Sequence, residues 1–119
     1  MTSKRTNPDF VNGVPELLIL QLLDRRPMHG YDLVQSIRLA SGRQLGFGEG
    51  CIYPILHRLE KQGALASART PVNGRTRIIY RVTAEGRKRL AESRTLWRDM
   101  VAVVNSVLEG DARDVSALA

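Results

Sequence analysis

The chain is poor in the residues that characterise secreted, membrane-embedded and catalytic proteins. Its 119 residues include one cysteine, two histidines and one tryptophan. A single cysteine excludes an internal disulfide, and with it a disulfide-stapled secreted scaffold. No apolar run approaches the roughly 18 residues that cross a bilayer, and residues 1–8 lack the apolar core of a signal peptide. We therefore expect a cytoplasmic protein with no membrane partner.

The same scarcity argues against catalysis and metal binding. The sequence shows no Ser-His-Asp arrangement, no glycine-rich phosphate loop and no pair of carboxylates suited to acid–base chemistry. Cys51 and His57 lie six positions apart, which on a helix leaves them about 120° out of alignment as a metal pair. We expect no catalytic residue, no metal ligand and no cofactor.

Positive charge is abundant and unevenly distributed. The net charge is +6 and the pI is near 10.2. Between Arg69 and Arg98, nine cationic residues stand against only Glu85 and Glu92, a balance of +7 that leaves the rest of the chain close to neutral. Such a localised basic field favours a polyanionic partner, most often nucleic acid. A merely basic globular domain is the alternative.

Residues 48–63 predict an amphipathic helix with an unusual outer face. The spacing i, i+3, i+4, i+7 assigns a buried stripe to Ile52, Ile55, Leu56 and Leu59. The opposite face and its flanks carry Gly50, Tyr53, Pro54, His57, Arg58 and Lys61. A helix that enters a DNA major groove needs a face that donates hydrogen bonds and carries positive charge. An ordinary surface helix with some basic residues is the alternative.

Two further helices precede this one. Pro15–Asp24 is apolar on nearly every side, with Pro15 suited to a first turn, and His29–Ser41 has one apolar face. The ring of Pro54 would clash with a carbonyl four residues back, so we expect the third helix to begin at about Gly50 or Cys51. Gly63 is suited to cap its C-terminus.

A hairpin and a long helix complete the pattern. Ala64–Thr70 and Thr76–Val82 predict two strands around an Asn73-Gly74 turn. Thr83 is a good N-cap for a helix that runs to Leu108, about 39 Å long. Its apolar residues form two adjoining stripes. A single stripe would serve the parent domain, so the presence of two suggests a partner chain. One stripe contains Leu90, Trp97, Val101, Val104 and Leu108, and the other contains Leu96, Met100, Val103 and Val107.

This order predicts a mainly α protein with a small two-stranded antiparallel hairpin, namely a winged helix-turn-helix followed by a long dimerisation helix. We divide the chain into an N-terminal arm (1–13), a DNA-binding domain (14–82), a dimerisation helix (83–108) and a flexible tail (109–119).

Four motifs resemble the PadR family of bacterial transcriptional regulators. They are His29-Gly30-Tyr31, the run Cys51–Glu60 (CIYPILHRLE), Gly63, and the run Tyr80–Gly86 (YRVTAEG), and the resemblance extends from Glu16 to Leu108. One departure is Cys51, where the family usually has threonine, a better hydrogen-bond donor. The resemblance implies a homodimeric winged-helix repressor that binds an inverted-repeat operator in double-stranded DNA. It further implies control of efflux, detoxification or stress genes, release by a small aromatic or apolar effector, and dimerisation through a single C-terminal helix.

The predicted DNA-binding residues lie on the third helix, at the start of the second helix and on the wing: Tyr31, Tyr53, Pro54, His57, Arg58, Lys61, Asn73, Gly74, Arg75 and Arg77. Several have a structural alternative. Tyr53 would pack on the second helix, Tyr31 would be a core tyrosine, and Arg58 would pair with Glu60. His57 would face solvent, the wing would be a solvated hairpin, and His29 is expected to cap or pack locally.

The predicted ligand and dimer interface is formed by Phe10, Leu96, Trp97, Met100, Val101, Val104 and Leu108. Two indoles at a dimer interface can sandwich a planar ligand, but simple packing is the alternative for Trp97. Two rival functions remain open at this point. One is a winged-helix module that binds an acidic protein, and the other is a thiol sensor at Cys51, where a small packing residue is the alternative.

Overall fold

The computed structural model describes residues 8–110, with the backbone alone for residues 8–12. The elements in chain order are α1 (Pro8–Arg25), β1 (Met28–His29), α2 (Gly30–Ala40), α3 (Glu49–Lys61), β2 (Leu65–Val72), β3 (Arg75–Val82) and α4 (Ala84–Leu108). This is the predicted winged helix-turn-helix with a long C-terminal helix. The side chain of Phe10, which we predicted to lie at the ligand and dimer interface, is outside the described part of the structure. The predicted tail beyond residue 110 is outside it as well.

Helix α1 is longer than the sequence predicts. It begins at Pro8, so residues 8–13, which we assigned to an arm, are helical. Pro15 therefore lies inside the helix and not in its first turn, and its side chain is fully buried. The prediction was wrong because a proline removes one backbone hydrogen bond from a helix interior, a cost that sequence rules weigh heavily. Here the ring is part of the core.

Helices α2 and α3 form the helix-turn-helix, and both ends of the pair are capped as predicted. His29 caps α2 by accepting a 3.3 Å hydrogen bond from the Asp32 N–H. At the end of α3, Gly63 has φ of 81°, and its N–H donates to Glu60 O at 3.0 Å. The Ala64 N–H donates to Leu59 O at 2.9 Å. This pair of bonds is a Schellman motif, which requires the left-handed backbone that glycine favours.

The sheet has three antiparallel strands in the order β1-β3-β2, where the sequence predicted two. Strands β2 and β3 pair from Leu65↔Val82 to Val72↔Arg75. Asn73 and Gly74 both have positive φ, 51° and 78°, as a type I′ hairpin turn requires. The added strand β1 pairs through two residues, Met28 with Tyr80 and His29 with Ile79. A two-residue strand is too short to leave an alternating pattern in the sequence.

One hydrophobic core lies between the first three helices and the sheet. Its fully buried side chains include Ile19, Leu20, Leu23, Leu33, Ile37, Ile52, Leu56 and Leu59. Helix α4 contributes only its first turns, because Gly86 and Leu90 are its buried residues. Leu90, which begins one of the two predicted apolar stripes, is therefore a core residue. Among the described residues, no helix is long and apolar enough to span a membrane.

The end of α3 and the start of α4 meet in a close backbone contact. The Thr83 N–H donates to Ala64 O at 3.0 Å, and the Thr83 hydroxyl donates to Gly63 O at 2.7 Å. The same hydroxyl oxygen accepts from the Gly86 N–H at 3.0 Å, which caps α4 as predicted. A Cβ on Gly86 would collide with the carbonyl oxygen of Ala64 and approach Val82 Cγ2 to 2.6 Å. The two helices are thus joined at a point where no side chain fits.

We predict that Gly86→Ala destabilises the protein by about 1–3 kcal/mol, the usual cost of overpacking a tight site. The change would otherwise stabilise the helix, since alanine exceeds glycine in helix propensity by about 1 kcal/mol. Gly50→Ala is the control, because an added Cβ there meets nothing within 4 Å. Urea unfolding at a fixed protein concentration measures both variants. Equal stability of Gly86→Ala and the wild type would contradict the close contact.

Candidate nucleic-acid interface

Helix α3 divides into a buried and an exposed face along the predicted lines. Ile52, Leu56 and Leu59 are fully buried, and Ile55 is 7% exposed. The exposed positions of the opposite face are Gly50, Pro54, His57 and Lys61, and Glu49 at the start of the helix is exposed as well. The outer face is thus available for a partner, with one cation, one imidazole and little bulk toward its N-terminus.

Tyr53 packs against the start of α2. Its side chain is half-buried and contacts the hydrophobic core. A Cβ on Gly30 would approach Tyr53 Cε1 to 2.6 Å, so the ring lies directly over the glycine backbone. The Tyr53 and His57 rings are tilted neighbours, with centroids 6.3 Å apart. The packing role considered for Tyr53 is therefore present, and it fixes the ring at the edge of the exposed face.

A groove between α2, α3 and the wing collects five of the ten predicted DNA-binding residues. We call it the tyrosine groove, and it is lined by His29, Gly30, Tyr31, Tyr53, His57, Arg75, Thr76, Arg77, Ile78 and Tyr80. All three tyrosines and both histidines of the chain are among these residues. No carboxylate is among them, and two are arginines. A concave surface with hydroxyl, imidazole and guanidinium groups is suited to an anion such as a backbone phosphate.

Tyr31 and His29 stand at the mouth of this groove, at the start of α2. Tyr31 is 51% exposed, so the alternative of a core tyrosine is wrong. Its ring stacks on His29, with centroids 6.5 Å apart and the planes at 20°. His29 Nε2 also lies 3.0 Å from Asp32 Oδ2. His29 thus caps and packs locally, as expected, and leaves the Tyr31 ring exposed.

The wing presents its arginines beside an exposed tip. Asn73, Gly74 and Arg75 are exposed, and Arg77 is half-buried. Strand β1 pairs only with Ile79 and Tyr80, so the part of β3 nearer the tip has no neighbouring strand on the groove side. Within the described part of the chain, neither arginine forms an ion pair. Their guanidinium groups are free of a competing carboxylate there.

Arg58 is held away from the tyrosine groove. Its Nη1 lies 3.0 Å from Glu16 Oε1 on α1. The alternative that Glu60 pairs with Arg58 is wrong, because Glu60 Oε2 accepts a 2.6 Å hydrogen bond from Ser67 Oγ. Sequence reasoning missed Glu16 as the partner of Arg58, because the sequence gives only a weak indication of it. It is a carboxylate at the start of an otherwise apolar run.

Comparisons with known proteins give the family of the chain. The pattern of the family described as the transcriptional regulator PadR-like family matches residues 19–92. A transcriptional regulator of Mycobacterium tuberculosis is 35% identical over 96 residues, which cover 81% of this chain and 87% of that protein. The chain belongs to the PadR-like family of transcriptional regulators.

Solved structures of PadR-type and related regulators share the fold. A transcriptional regulator from Clostridium thermocellum has a TM-score of 0.77 at 28% identity, covering 84% of this chain and 95% of that one. A PadR-family regulator from Eggerthella lenta has a TM-score of 0.75 at 32% identity, with 87% and 88% covered. The protein is therefore a DNA-binding transcriptional regulator, and its relatives are regulators and not enzymes.

Cys51 lies in the first turn of α3. Its side chain is half-buried and packs against the hydrophobic core. The Cys51 N–H donates to Gly48 O at 3.0 Å. This position fits the alternative of a small packing residue.

The residues predicted for a ligand and dimer interface, apart from Phe10, lie on α4, where they share a surface with Val103 and Val107. Its large apolar side chains are exposed in the single chain: Leu96, Trp97, Met100, Val101, Val103, Val104, Val107 and Leu108. The part of this surface nearest the core borders a groove between α1 and α4. That groove, which we call the helix groove, is lined by Gly13, Val14, Glu16, Leu17, Ser93, Leu96, Trp97 and Met100.

Tyr80 forms the buried end of the tyrosine groove and generates a prediction about pH. Its side chain is 3% exposed. Burial, followed by the negative charge of Glu60 and the proximity of Tyr53, raises the pKa of Tyr80 above its ordinary value of 10.0. The folded protein therefore retains the Tyr80 proton at pH values at which the unfolded chain has released it. The contribution of this residue to the free energy of unfolding is complete below the pKa of the unfolded chain, and it is lost as the pH rises through the pKa of the folded protein.

We expect the free energy of unfolding to fall between about pH 9 and pH 11 as the unfolded chain ionises. Tyr80→Phe removes the titrating hydroxyl, so its unfolding free energy should fall less over the same range. Urea titrations at several pH values measure both proteins. Parallel curves for the variant and the wild type would show that Tyr80 does not carry the effect.

Proposed function

We propose that this PadR-family regulator is a homodimeric, ligand-responsive repressor that places α3 in the major groove of an inverted-repeat operator. The wing, from Asn73 to Arg77, rests on the adjacent backbone or minor groove. The observation that carries this proposal is the tyrosine groove. It lies between the outward face of α3 and the wing, and its lining has two arginines and no carboxylate.

A DNA strand that passes from the major groove to the next minor groove must cross the space between α3 and the wing. Hydroxyl and guanidinium groups that line this space are suited to phosphate oxygens, which position the protein without reading sequence. Sequence would be read by the outward residues of α3, namely Pro54, His57 and Lys61, with Tyr53 at their edge. Arginine near a glycine-containing tip favours the narrow minor groove.

A second copy of the chain is the proposed occupant of the apolar surface on α4. Exposed patches of this kind mark interaction sites, and a two-fold dimer covers such a patch with the same patch from its partner. Two α3 helices related in this way would reach half-sites about 10 base pairs, or a small multiple of that, apart. We further propose efflux, detoxification or stress genes as targets.

A small aromatic or apolar effector would bind beside Trp97, in the helix groove. Three of the groove's lining residues, Leu96, Trp97 and Met100, are also exposed apolar residues of α4. A ligand there would lie beside the α4 surface that the proposed dimer buries. It would therefore alter the distance between the two α3 helices of the dimer. In this mechanism, aromatic compounds quench Trp97 fluorescence and weaken DNA binding. Compounds that do neither would remove the effector from the proposal.

The experiment that tests the DNA proposal is an electrophoretic shift with the DNA upstream of the protein's own gene. A scrambled duplex serves as competitor, and the salt concentration is varied. We expect specific retention that weakens steeply as salt rises, because each neutralised phosphate releases counterions. An acidic protein partner in place of DNA would give no specific retention, and the winged helix would then be an interaction module.

Arg75→Ala should weaken binding to all duplexes to a similar degree. If Arg75 neutralises one phosphate in each protomer, the slope of log K against log salt should become shallower by about 0.9 for each phosphate that the variant leaves unneutralised. Arg81→Ala is the matched control, since Arg81 is exposed on the same strand but does not line the tyrosine groove. A weakening confined to one base pair of the operator would instead make Arg75 a base-reading residue.

Trp97→Ala should weaken the dimer, because a large aromatic at the centre of an interface commonly contributes about 2 kcal/mol or more. Trp97 is 39% exposed in the single chain, so the protomer fold should survive the change. Sedimentation equilibrium measures the dimer dissociation constant, which should rise by about 30-fold or more at that energy. Arg94→Ala, on the same helix, is the control. A dimer unchanged by Trp97→Ala would place the interface elsewhere.

A further inference from the structure

Glu16 is a carboxylate shared by two arginines from different helices. Its Oε1 lies 3.0 Å from Arg58 Nη1 on α3, and its Oε2 accepts a 3.0 Å hydrogen bond from Arg89 Nε on α4. Arg89 also donates from Nη1 to Gln62 Oε1, at 2.8 Å, at the C-cap of α3. The Glu16 side chain is only 14% exposed. One carboxylate on α1 thus joins the recognition helix to the first turns of α4.

Arg58 occupies a position on α3 from which it could reach DNA. It lies four residues after Pro54 and three before Lys61, which makes both exposed residues its neighbours on the helix surface. Its side chain is 40% exposed and is long enough to lie along either flank of the helix. The ion pair with Glu16 holds its guanidinium against α1. The guanidinium of Arg58 is therefore paired with a carboxylate in the fold.

We infer that Glu16 is a positioning residue that withholds Arg58 from the DNA backbone and fixes the orientation of α3 against α1 and α4. The inference rests on the proposed placement of α3 in the major groove. Charge-assisted hydrogen bonds to a carboxylate are among the stronger side-chain interactions, and they are screened less by salt in a partly buried site. A phosphate must compete with this pair before Arg58 contacts it.

The consequence for function concerns discrimination between sequences. An unpaired arginine beside the recognition face would add a phosphate contact on every duplex, and phosphate contacts carry no sequence information. Withholding Arg58 lowers affinity for random DNA and leaves the outward residues of α3 to read the operator. Glu16 also lines the helix groove, so the same carboxylate lies where the proposed effector would bind.

The test measures the salt dependence of binding to a short random-sequence duplex by fluorescence anisotropy. The wild type, Glu16→Gln, Arg58→Ala and the double variant are compared. Glu92→Gln is the charge-matched control, because Glu92 is an exposed carboxylate of α4. Glutamine keeps the size of Glu16 and removes the charge that holds Arg58. Thermal unfolding followed by circular dichroism establishes that each variant is folded.

We expect Arg58→Ala to keep the wild-type slope of log K against log salt, since Arg58 makes no phosphate contact while Glu16 holds it. Glu16→Gln should steepen the slope by about 0.9 for each Arg58 released, and the double variant should return to the wild-type slope. Glu92→Gln should leave the slope unchanged.

A shallower slope for Arg58→Ala in the wild-type background overturns the inference, because Arg58 would then already contact DNA. That measurement decides the matter even if Glu16→Gln does not fold. An unchanged slope for folded Glu16→Gln also overturns it. Absence of any DNA binding by the wild type would overturn the proposed function, and the inference with it, whereas binding with the wrong pattern of slopes overturns the inference alone.

Discussion

The structure depends on the contact between the end of α3 and the start of α4. The carbonyl of Ala64 accepts the Thr83 N–H and lies so close to Gly86 that a side chain there has no space. Thr83 closes the junction from the other side by binding the Gly63 carbonyl and capping α4. Because these are backbone groups and one short side chain, the angle between the two helices has little freedom. Helix α3 is thereby oriented relative to the α4 surface on which the proposed dimer is built.

Charge in this PadR-family chain is arranged by pairing as much as by composition. The excess of basic residues predicted a polyanionic partner. Among the residues that the structure describes, arginines without a neighbouring carboxylate are found at the tyrosine groove and the wing. Elsewhere several cations lie against carboxylates. Arg87 pairs with Asp24, and Arg58 and Arg89 share Glu16. The sign of the field at the interface is therefore a property of the fold, since the partners of these arginines are distant in sequence.

Local signals were sufficient for most elements and failed where the cause was tertiary. The Asn73-Gly74 turn, the Gly63 cap and the Thr83 cap were predictable because each depends on a few adjacent residues. Pro15 was misplaced because core packing outweighs its helix-breaking tendency. Strand β1 was missed because it is defined by its pairing with β3, and two residues are too few to show a strand pattern in the sequence. Of the site, the face of α3 followed from periodicity. The Glu16 ion pair did not, because it joins residues 42 and 73 positions apart in the chain.

The geometry also limits how a ligand could act on DNA binding. Beyond Leu90, α4 has no buried residue among those the structure describes. Its 25 residues form a lever about 37 Å long. A rotation of about 10° at the junction would displace the far end of such a lever by about 6 Å, more than the roughly 3.4 Å rise of one base pair. The junction resists that rotation through backbone contacts, and the Glu16 pairs resist it through charge. The helix groove is lined by Glu16 and not by Ala64, so the proposed effector would bind next to the ion pairs. The ion pairs are therefore the part of this connection that a ligand in the helix groove could reach.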